Sequence, residues 1–188
     1  MARGTIYTVG HSTREFSRFA QLLLDAGVDE LVDVRRVPHS RRHPQFDSAA
    51  LARTLAELGI DYRHEEALGG FRRPLAASGN AGWEHEAFRG YADYMATPQF
   101  TAALARVQQR AATRALCLMC AEAQWWRCHR RLISDALVVA GWRVLHLGVG
   151  REPVEHELTP FAVVLPDGAI TYPPRQGELA LADVGMND

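Results

Sequence analysis

Short apolar runs alternate with helix-like segments along most of this chain of 188 residues. Apolar runs at residues 5–9, 30–34, 60–64, 115–119 and 142–147 predict five strands. The segments between them carry apolar residues at helical spacing. Such alternation favours a mainly parallel sheet with right-handed crossovers. We therefore expect an α/β fold, a single three-layer domain with a Rossmann-like sheet.

The helix boundaries are predicted from capping residues. Ser12 and Glu15 have the spacing of a capping box, which predicts that a helix begins directly after Ser12. Further helices are expected after the second strand and over residues 83–95, 98–112 and 124–140. The last of these would place the residues after the fourth strand at a helix N-terminus.

The C-terminal part of the chain carries a turn signal. Two apolar runs, residues 161–165 and 169–172, flank an Asp-Gly pair, which predicts a β-hairpin. Residues 175–188 show no strong pattern and are expected to form a loose tail. We therefore expect one domain over residues 1–174.

Composition excludes several classes of protein. A net charge of -1 with 47% hydrophobic residues argues against disorder, and no apolar run approaches the roughly 20 residues of a membrane span. The N-terminus lacks a signal-peptide apolar region, so we expect a cytoplasmic protein with no membrane partner. All 21 basic residues are arginine. An anion would therefore be held by guanidinium groups, backbone N–H groups or histidine.

Polar residues that can carry chemistry follow the predicted strands. They are His11 and Ser12 after the first strand, Asp33, Arg35 and Arg36 after the second, His64 with Gly69 and Gly70 after the third, Cys120 and Glu122 after the fourth, and His146 in the fifth. The carboxyl ends of parallel strands share one edge of the sheet, where ligands bind in α/β proteins. We therefore predict a functional site at this edge.

Arginines supply the anion-binding part of the predicted site. The candidates are Arg35, Arg36, Arg41 and Arg42 in a long polar loop, Arg72 beside the two glycines, and Arg127 and Arg130 after the fourth strand. Local positive charge attracts phosphates, carboxylates and nucleic-acid backbones, and Trp126 offers a ring on which a base can stack. The expected partner is an anionic small molecule or a nucleic acid. A solvated charged loop is the alternative.

Cys120 and Glu122 are the candidate catalytic residues. A thiol at a helix N-terminus has a lowered pKa, and Glu122 is placed to act as a general acid or base. His11 and His129 are expected to assist, and Asp33 to orient an arginine or a histidine. A buried structural cysteine and an arginine-paired or helix-terminal Glu122 stay open as alternatives.

The cysteine spacing also leads to the hypothesis of a metal site. Four residues form a C-x2-C-x7-C-H pattern: Cys117, Cys120, Cys128 and His129. However, Cys117 and Cys120 are an odd number of residues apart along a strand and so face opposite sides, which argues against a four-ligand site. A smaller set of His11, His64, Cys120 and His129 stays open. We predict no metal ligands and assign no cofactor.

Several motifs resemble a known family along nearly the whole chain. They are Thr8-Val9-Gly10-His11-Ser12-Thr13, Val32-Asp33-Val34-Arg35-Arg36 with Ser40-Arg41-Arg42, Leu68-Gly69-Gly70, Phe88-Arg89-Gly90-Tyr91-Ala92-Asp93-Tyr94-Met95, and Met119-Cys120-Ala121-Glu122 with Cys128-His129-Arg130. Together they resemble the bacterial domain-of-unknown-function family 488. The resemblance implies an α/β domain of bacterial origin and no particular reaction.

Three functions are consistent with these residues. The leading hypothesis is an enzyme, a hydrolase or transferase, that binds a phosphate-bearing or nucleotide-like ligand and uses cysteine and glutamate chemistry. The second is a non-catalytic nucleic-acid or nucleotide-binding module, and the third is a metal-dependent enzyme or sensor. Binding that weakens steeply with salt would favour the second, and a stoichiometric metal would favour the third.

Overall fold

The computed structural model describes residues 3–174, so the tail predicted at residues 175–188 lies outside the described residues. Within residues 3–174, a mostly parallel six-stranded sheet is combined with five α-helices and a small antiparallel pair of strands. The predicted α/β class, the mainly parallel sheet and the C-terminal hairpin are therefore confirmed.

The strands follow the predicted apolar runs. They are β1 (Thr5–Gly10), β2 (Glu30–Asp33), β3 (Asp61–His64), β4 (Leu116–Cys120), β5 (Arg143–Leu147), β6 (Val154–Glu155), β7 (Val163–Val164) and β8 (Ile170–Thr171). The sheet order is β3-β2-β4-β1-β5-β6, and β7 pairs with β8 in the hairpin. Only β6 runs antiparallel in the described sheet. Strand β6 was not predicted, because a strand of two exposed residues shows no alternation of apolar and polar side chains.

The helices differ from prediction mainly at their first residues. They are α1 (Phe16–Asp25), α2 (Ser48–Ala56), α3 (Glu86–Met95), α4 (Pro98–Ala111) and α5 (Arg130–Val139). The predicted capping box is wrong, because Ser12 has a left-handed φ of 50° and α1 begins only after Glu15. The start predicted near residue 124 is also wrong. A 3-10 turn at Trp125–Arg127 comes first, and an extended Cys128 separates it from α5.

The two faces of the sheet are covered by different helices. Apolar residues of α1 and α2 form one core, and those of α3, α4 and α5 form the other. Strand β4 shows the alternation directly, since Cys117 packs in the first core while Leu118 and Cys120 pack in the second. The prediction that Cys117 and Cys120 face opposite sides is confirmed.

A crevice arises where β1 and β4 lie side by side. The helix that follows β1 covers one face of the sheet, and the helix that follows β4 covers the other. The two loops therefore diverge at the carboxyl ends, which is where open α/β sheets bind ligands. Below the divergence they are tightly packed, because a Cβ atom at Gly10 would collide with the backbone of Glu122.

The described helices are short. The longest of those within residues 3–174 is α4, with 14 residues. None of them combines the length and the apolar character needed to cross a bilayer.

Candidate functional site

A cleft of about 940 Å³ opens at the carboxyl edge of the sheet. Many of the predicted site residues line it: His11, Ser12, Arg35, Arg36, Arg41, Arg42, Gly70, Cys120, Glu122, Trp126, Arg127 and His129. They come from the ends of β1, β2 and β4 and from the loops that follow these strands and β3. The parallel sheet thus brings together residues that are distant in the sequence.

Asp33 lies beneath the cleft and holds Arg35. Its carboxylate is fully buried and accepts hydrogen bonds from the backbone N–H of Arg35 (3.0 Å), from Nε (2.9 Å) and from Nη2 (2.6 Å). The Tyr62 hydroxyl donates a further bond of 2.8 Å. Asp33 therefore orients an arginine, as the sequence suggested, and does not itself line the cleft.

His11 is a neutral ring between Arg35 and an aromatic side chain. Its Nδ1–H donates to the carbonyl of Ser12 (2.8 Å), so Nε2 is free to accept from Arg35 Nη1 (3.3 Å). The ring stacks on Phe46 with centroids 4.3 Å apart. Burial and, to a lesser extent, the positive charge of Arg35 together lower the pKa of His11 to about 4. At neutral pH this ring is uncharged, and we infer that it positions Arg35.

Two thiols and one imidazole form a cluster in the wall of the cleft. The Nδ1 atom of His129 lies 3.5 Å from the Cys128 sulfur and 4.0 Å from the Cys120 sulfur. Among the described residues, these three form the group whose ligand atoms all lie within 4.8 Å of one another. The smaller metal set considered from the sequence is therefore wrong, because His11 and His64 are not part of this group.

The thiol with the lowered pKa is Cys128, not Cys120. The hydrogen bond to Cys128, together with burial, raises the pKa of Cys120 well above its ordinary value. Burial opposes ionisation of Cys128 too, but the hydrogen bond from Cys120 and the nearby His129 and Arg130 lower the pKa of Cys128. The lowered pKa predicted for Cys120 is wrong, because α5 begins ten residues later, at Arg130.

Glu122 lies on a firmly anchored loop with its side chain exposed. Arg130 is almost fully buried, and its Nη2 donates to the carbonyls of Glu122 and, at 3.3 Å, of Ala123. The predicted role of Arg130 as a ligand holder is not supported, because its guanidinium faces the core and does not line the cleft. Its contacts fix the loop that presents Glu122 to the cleft.

Four exposed arginines lie on the rim of the cleft. Within the described part of the chain, no carboxylate forms an ion pair with any of Arg36, Arg41, Arg42 and Arg127. All four are exposed. Arg36 donates to the carbonyl of Phe71 at 3.0 Å, which directs it along the rim. Exposed guanidinium groups without an ion pair to a carboxylate attract anions.

Three predicted ligand-binding residues have structural contacts and do not line the cleft. His64 bonds through Nε2 to the carbonyl of Arg35 at 2.7 Å. The guanidinium of Arg72 lies 3.8 Å above the Tyr94 ring and donates to the carbonyl of Gly69 at 3.1 Å. Gly69 packs on the backbone of Arg36, where a Cβ atom would come within 2.7 Å of its Cα. These residues shape the loops of the site.

The two neighbouring tryptophans have different environments. Trp126 lines the cleft and is 42% exposed. Trp125 turns inward and stacks on His146 with centroids 4.2 Å apart. The adjacent pair in the sequence thus divides between the cleft and the core.

Several cleft residues were not assigned to the site from the sequence. They include Val37, Phe71, His85, Phe88 and Cys128. Phe71 has a positive φ of 60° and is 85% exposed, and its only signal is its position after the two glycines. Nothing in the sequence indicated that His85 belongs to the site, because it lies at the start of α3 and does not follow a strand.

Behind the cleft, a buried line of hydrogen bonds runs from Arg130 to Asp135. Arg130 Nη1 donates to Thr8 Oγ1 (3.2 Å), which lies 2.6 Å from Nδ1 of His146. Nε2 of His146 lies 3.0 Å from Nδ1 of His156, and Nε2 of His156 lies 2.9 Å from the Asp135 carboxylate. All five side chains are at most 4% exposed.

The tautomers of this line follow from its two ends. With both rings neutral, the Thr8 hydroxyl donates to His146, His146 donates to His156, and His156 donates to Asp135. Burial lowers the pKa of His146 to about 2, which agrees with a neutral ring. The Tyr172 hydroxyl also donates to Asp135, at 2.8 Å. His146, expected at the ligand-binding edge, is therefore a core residue.

A second arginine cluster lies at the opposite, amino edge of the sheet. Glu30, at the start of β2, is fully buried and forms ion pairs with Arg110, Arg63 (3.7 Å) and Arg114 (3.5 Å). Arg114 also pairs with two aspartates, Asp29 and Asp61. Here the guanidinium groups are matched by carboxylates of the fold.

A family model described as "Domain of unknown function DUF488" matches residues 15–137. The matched segment contains the cleft arginines and the thiol–imidazole cluster, and it leaves out His11, His146 and His156. No curated protein and no solved structure matches the chain.

Proposed function

Since the chain belongs to the DUF488 family, whose description assigns no activity, we propose from its cleft that it is an enzyme for an anionic, phosphate-bearing or nucleotide-like ligand. The ligand binds at the carboxyl edge of the sheet. The observation that carries the proposal is the set of rim arginines that have no ion pair with a carboxylate in the described residues. Such groups gain most from a ligand with its own negative charge.

The cleft has the size and lining that a nucleotide-like molecule requires. Its volume of about 940 Å³ is at the upper end of the range for small-molecule sites. Arg42 and Arg127 contact the anionic part of the ligand, and Trp126 and Phe71 offer faces on which a ring can stack. Arg35 is held by Asp33 and His11 as a fixed part of the wall.

Glu122 is the acid–base residue of the proposed enzyme. Its carboxylate is exposed to the cleft, while Arg130 holds the carbonyl of the same residue. A fixed backbone with a free carboxylate suits proton transfer to or from a bound ligand. The thiol of Cys128, which has the lowered pKa, is the candidate for a second reactive group in the same wall.

Titration with pyrophosphate and with adenosine monophosphate tests the anion-binding part. We expect Arg42→Ala and Arg127→Ala each to weaken binding about tenfold, the loss of roughly one charge-assisted hydrogen bond. Arg53→Ala is the matched control, because Arg53 is an exposed arginine of α2 that does not line the cleft. It should leave affinity unchanged. Failure of the wild-type protein to bind either probe, or equal weakening by Arg53→Ala, would contradict the proposal.

A second candidate function is binding of single-stranded nucleic acid. It is favoured by the exposed aromatic rings of Trp126 and Phe71 beside the arginines of the rim. Titration with a short oligonucleotide at several salt concentrations distinguishes the two. A steep loss of affinity with salt, together with weakening by Trp126→Ala, supports this second function. Tight binding of the mononucleotide with no gain for the oligonucleotide supports the first.

A further inference from the structure

We propose that Cys120, Cys128 and His129 form a zinc site with one coordination position directed to the cleft. The site stands on the geometry of the two thiols and the imidazole. It does not depend on whether the rim arginines bind an anion.

The two sulfur–nitrogen distances within the cluster are close to those of tetrahedral coordination. The sulfur of Cys128 lies 3.5 Å from His129 Nδ1, and the sulfur of Cys120 lies 4.0 Å from it. Zinc bonds of about 2.3 Å to sulfur and about 2.0 Å to nitrogen at tetrahedral angles require separations of roughly 3.5–3.8 Å. Both sulfur–nitrogen distances lie within about half an ångström of this range, and all three ligand atoms lie within 4.8 Å of one another.

The second ring nitrogen of His129 is already oriented as it is in metal sites. Its Nε2–H donates to the carbonyl of Val34 at 2.9 Å, which leaves the lone pair of Nδ1 directed at the two sulfurs. Histidine ligands of zinc usually donate their other N–H in this way. Gly70 keeps this side of the ring open, because a Cβ atom there would lie 2.9 Å from Nδ1.

The break before α5 explains how adjacent residues reach one point. Cys128 is extended, with φ -130° and ψ 151°, while His129 has helical angles. The change of backbone direction brings both side chains to the end of β4, where Cys120 lies. The N–H of Arg130, the first residue of α5, lies 3.5 Å from the Cys128 sulfur and supports negative charge on it.

The chemistry of the ligands selects the metal. Two thiolates and a neutral imidazole suit zinc and disfavour magnesium or calcium, which take oxygen ligands. Two thiolates also neutralise a divalent ion, which matters because both sulfurs belong to residues at most 7% exposed. Three protein ligands leave a fourth position for water, the pattern of catalytic zinc sites, on the side of the cleft that Glu122 also lines.

The test is metal analysis of the full chain purified without a histidine tag, with its thiols kept reduced. After incubation with zinc and gel filtration, we expect one zinc per chain in the wild type. We expect almost none in Cys120→Ala and Cys128→Ala, with circular dichroism to verify folding. Cys117→Ala is the matched control, since Cys117 is equally buried but packs on the other face of the sheet. It should retain the metal.

Cobalt substitution provides a second measurement on the same variants. The wild type and Cys117→Ala should show thiolate-to-cobalt charge-transfer absorption, which Cys128→Ser should weaken strongly. A wild type that retains no zinc with reduced thiols, or a Cys117→Ala variant that loses as much metal as Cys128→Ala, overturns the proposal. Pyrophosphate titration of the zinc-free protein tests the anion site separately, so failure of either proposal is recognised by itself.

Discussion

The two edges of the sheet carry similar numbers of arginines in opposite electrostatic settings. At the amino edge, Arg110 and Arg114 converge on the buried Glu30, and further aspartates complete the pairing. At the carboxyl edge, the rim arginines have no ion pair with a carboxylate among residues 3–174. The arginines at the amino edge thus serve the fold, and those at the carboxyl rim are the ones that we propose to bind a ligand.

The difference teaches that pairing, not the count of charges, separates a structural arginine from a ligand-binding one. Arg35 illustrates this, because it lies at the carboxyl edge but is saturated by Asp33. Arg35 is ion-paired like the arginines of the amino edge, although it lies at the same edge as the rim arginines. Substitutions at the carboxylates of each edge test this distinction.

The largest expected effect is that of Asp33→Ala. Arg35 is only 6% exposed, so removal of its partner leaves a buried guanidinium without a counter-ion. We expect the free energy of unfolding to fall by about 3–5 kcal/mol in urea denaturation. The matched control is Asp61→Ala, which removes an exposed aspartate from Arg114 and should cost less than about 1 kcal/mol. Equal costs would show that burial of the pair is not the cause.

A pH effect of intermediate size is expected at the carboxyl edge. Burial lowers the pKa of His11 from 6.5 to about 4, so the unfolded chain binds this proton first as the pH falls. The contribution of the neutral ring to stability is complete above pH 6.5 and is lost between pH 6.5 and pH 4. We expect a loss of about 3.5 kcal/mol, since the pKa differs by about 2.5 between the unfolded and the folded chain and each pKa unit corresponds to about 1.4 kcal/mol.

The comparison that isolates His11 is the wild type against His11→Gln. His146 titrates in the same direction in both proteins, so its contribution cancels. The free energy of unfolding of the variant should depend less on pH across this window. Identical pH dependence in the two proteins would assign the acid sensitivity to other groups.

Smaller effects are expected of Glu30→Gln at the amino edge and, last, of Arg42→Ala at the rim. The carboxylate is buried, but its arginine partners are 31% to 55% exposed and can be hydrated when the charge is lost. We expect a loss of about 1–2 kcal/mol by chemical denaturation. Arg42→Ala, at the rim, should change stability by less than about 0.5 kcal/mol. A destabilising Arg42→Ala would mean that the rim arginine has a structural role after all.

The α/β fold was predictable from the sequence because the strands and helices carry regular patterns. The apolar runs located the five parallel strands, and the shared edge of those strands brought His11, Arg35 and Cys120 into one cleft. Errors occurred where the backbone departs from regular elements. The left-handed Ser12 and the extended Cys128 delay the helices that follow them.

The remaining features of the site depend on contacts that sequence spacing does not encode. Arg127 and Arg130 both follow the fourth strand, and the sequence does not distinguish them. In the structure Arg130 is buried against the loop carbonyls, whereas Arg127 is exposed at the rim. The pairing of Cys120 with Cys128 depends on the bend before α5. Glu30 gave no signal, because its partners come from β3, α4 and the turn before β4.

The buried line of hydrogen bonds from Arg130 to Asp135 affects the order in which parts of the protein fold during synthesis. Asp135 accepts a hydrogen bond from the Tyr172 hydroxyl, and Arg130 donates one to the backbone carbonyl of Glu122. A ribosome releases the loop that carries Glu122 long before it releases Tyr172. The nascent chain can therefore form the sheet early, but the full set of bonds behind the cleft closes only when the hairpin has emerged.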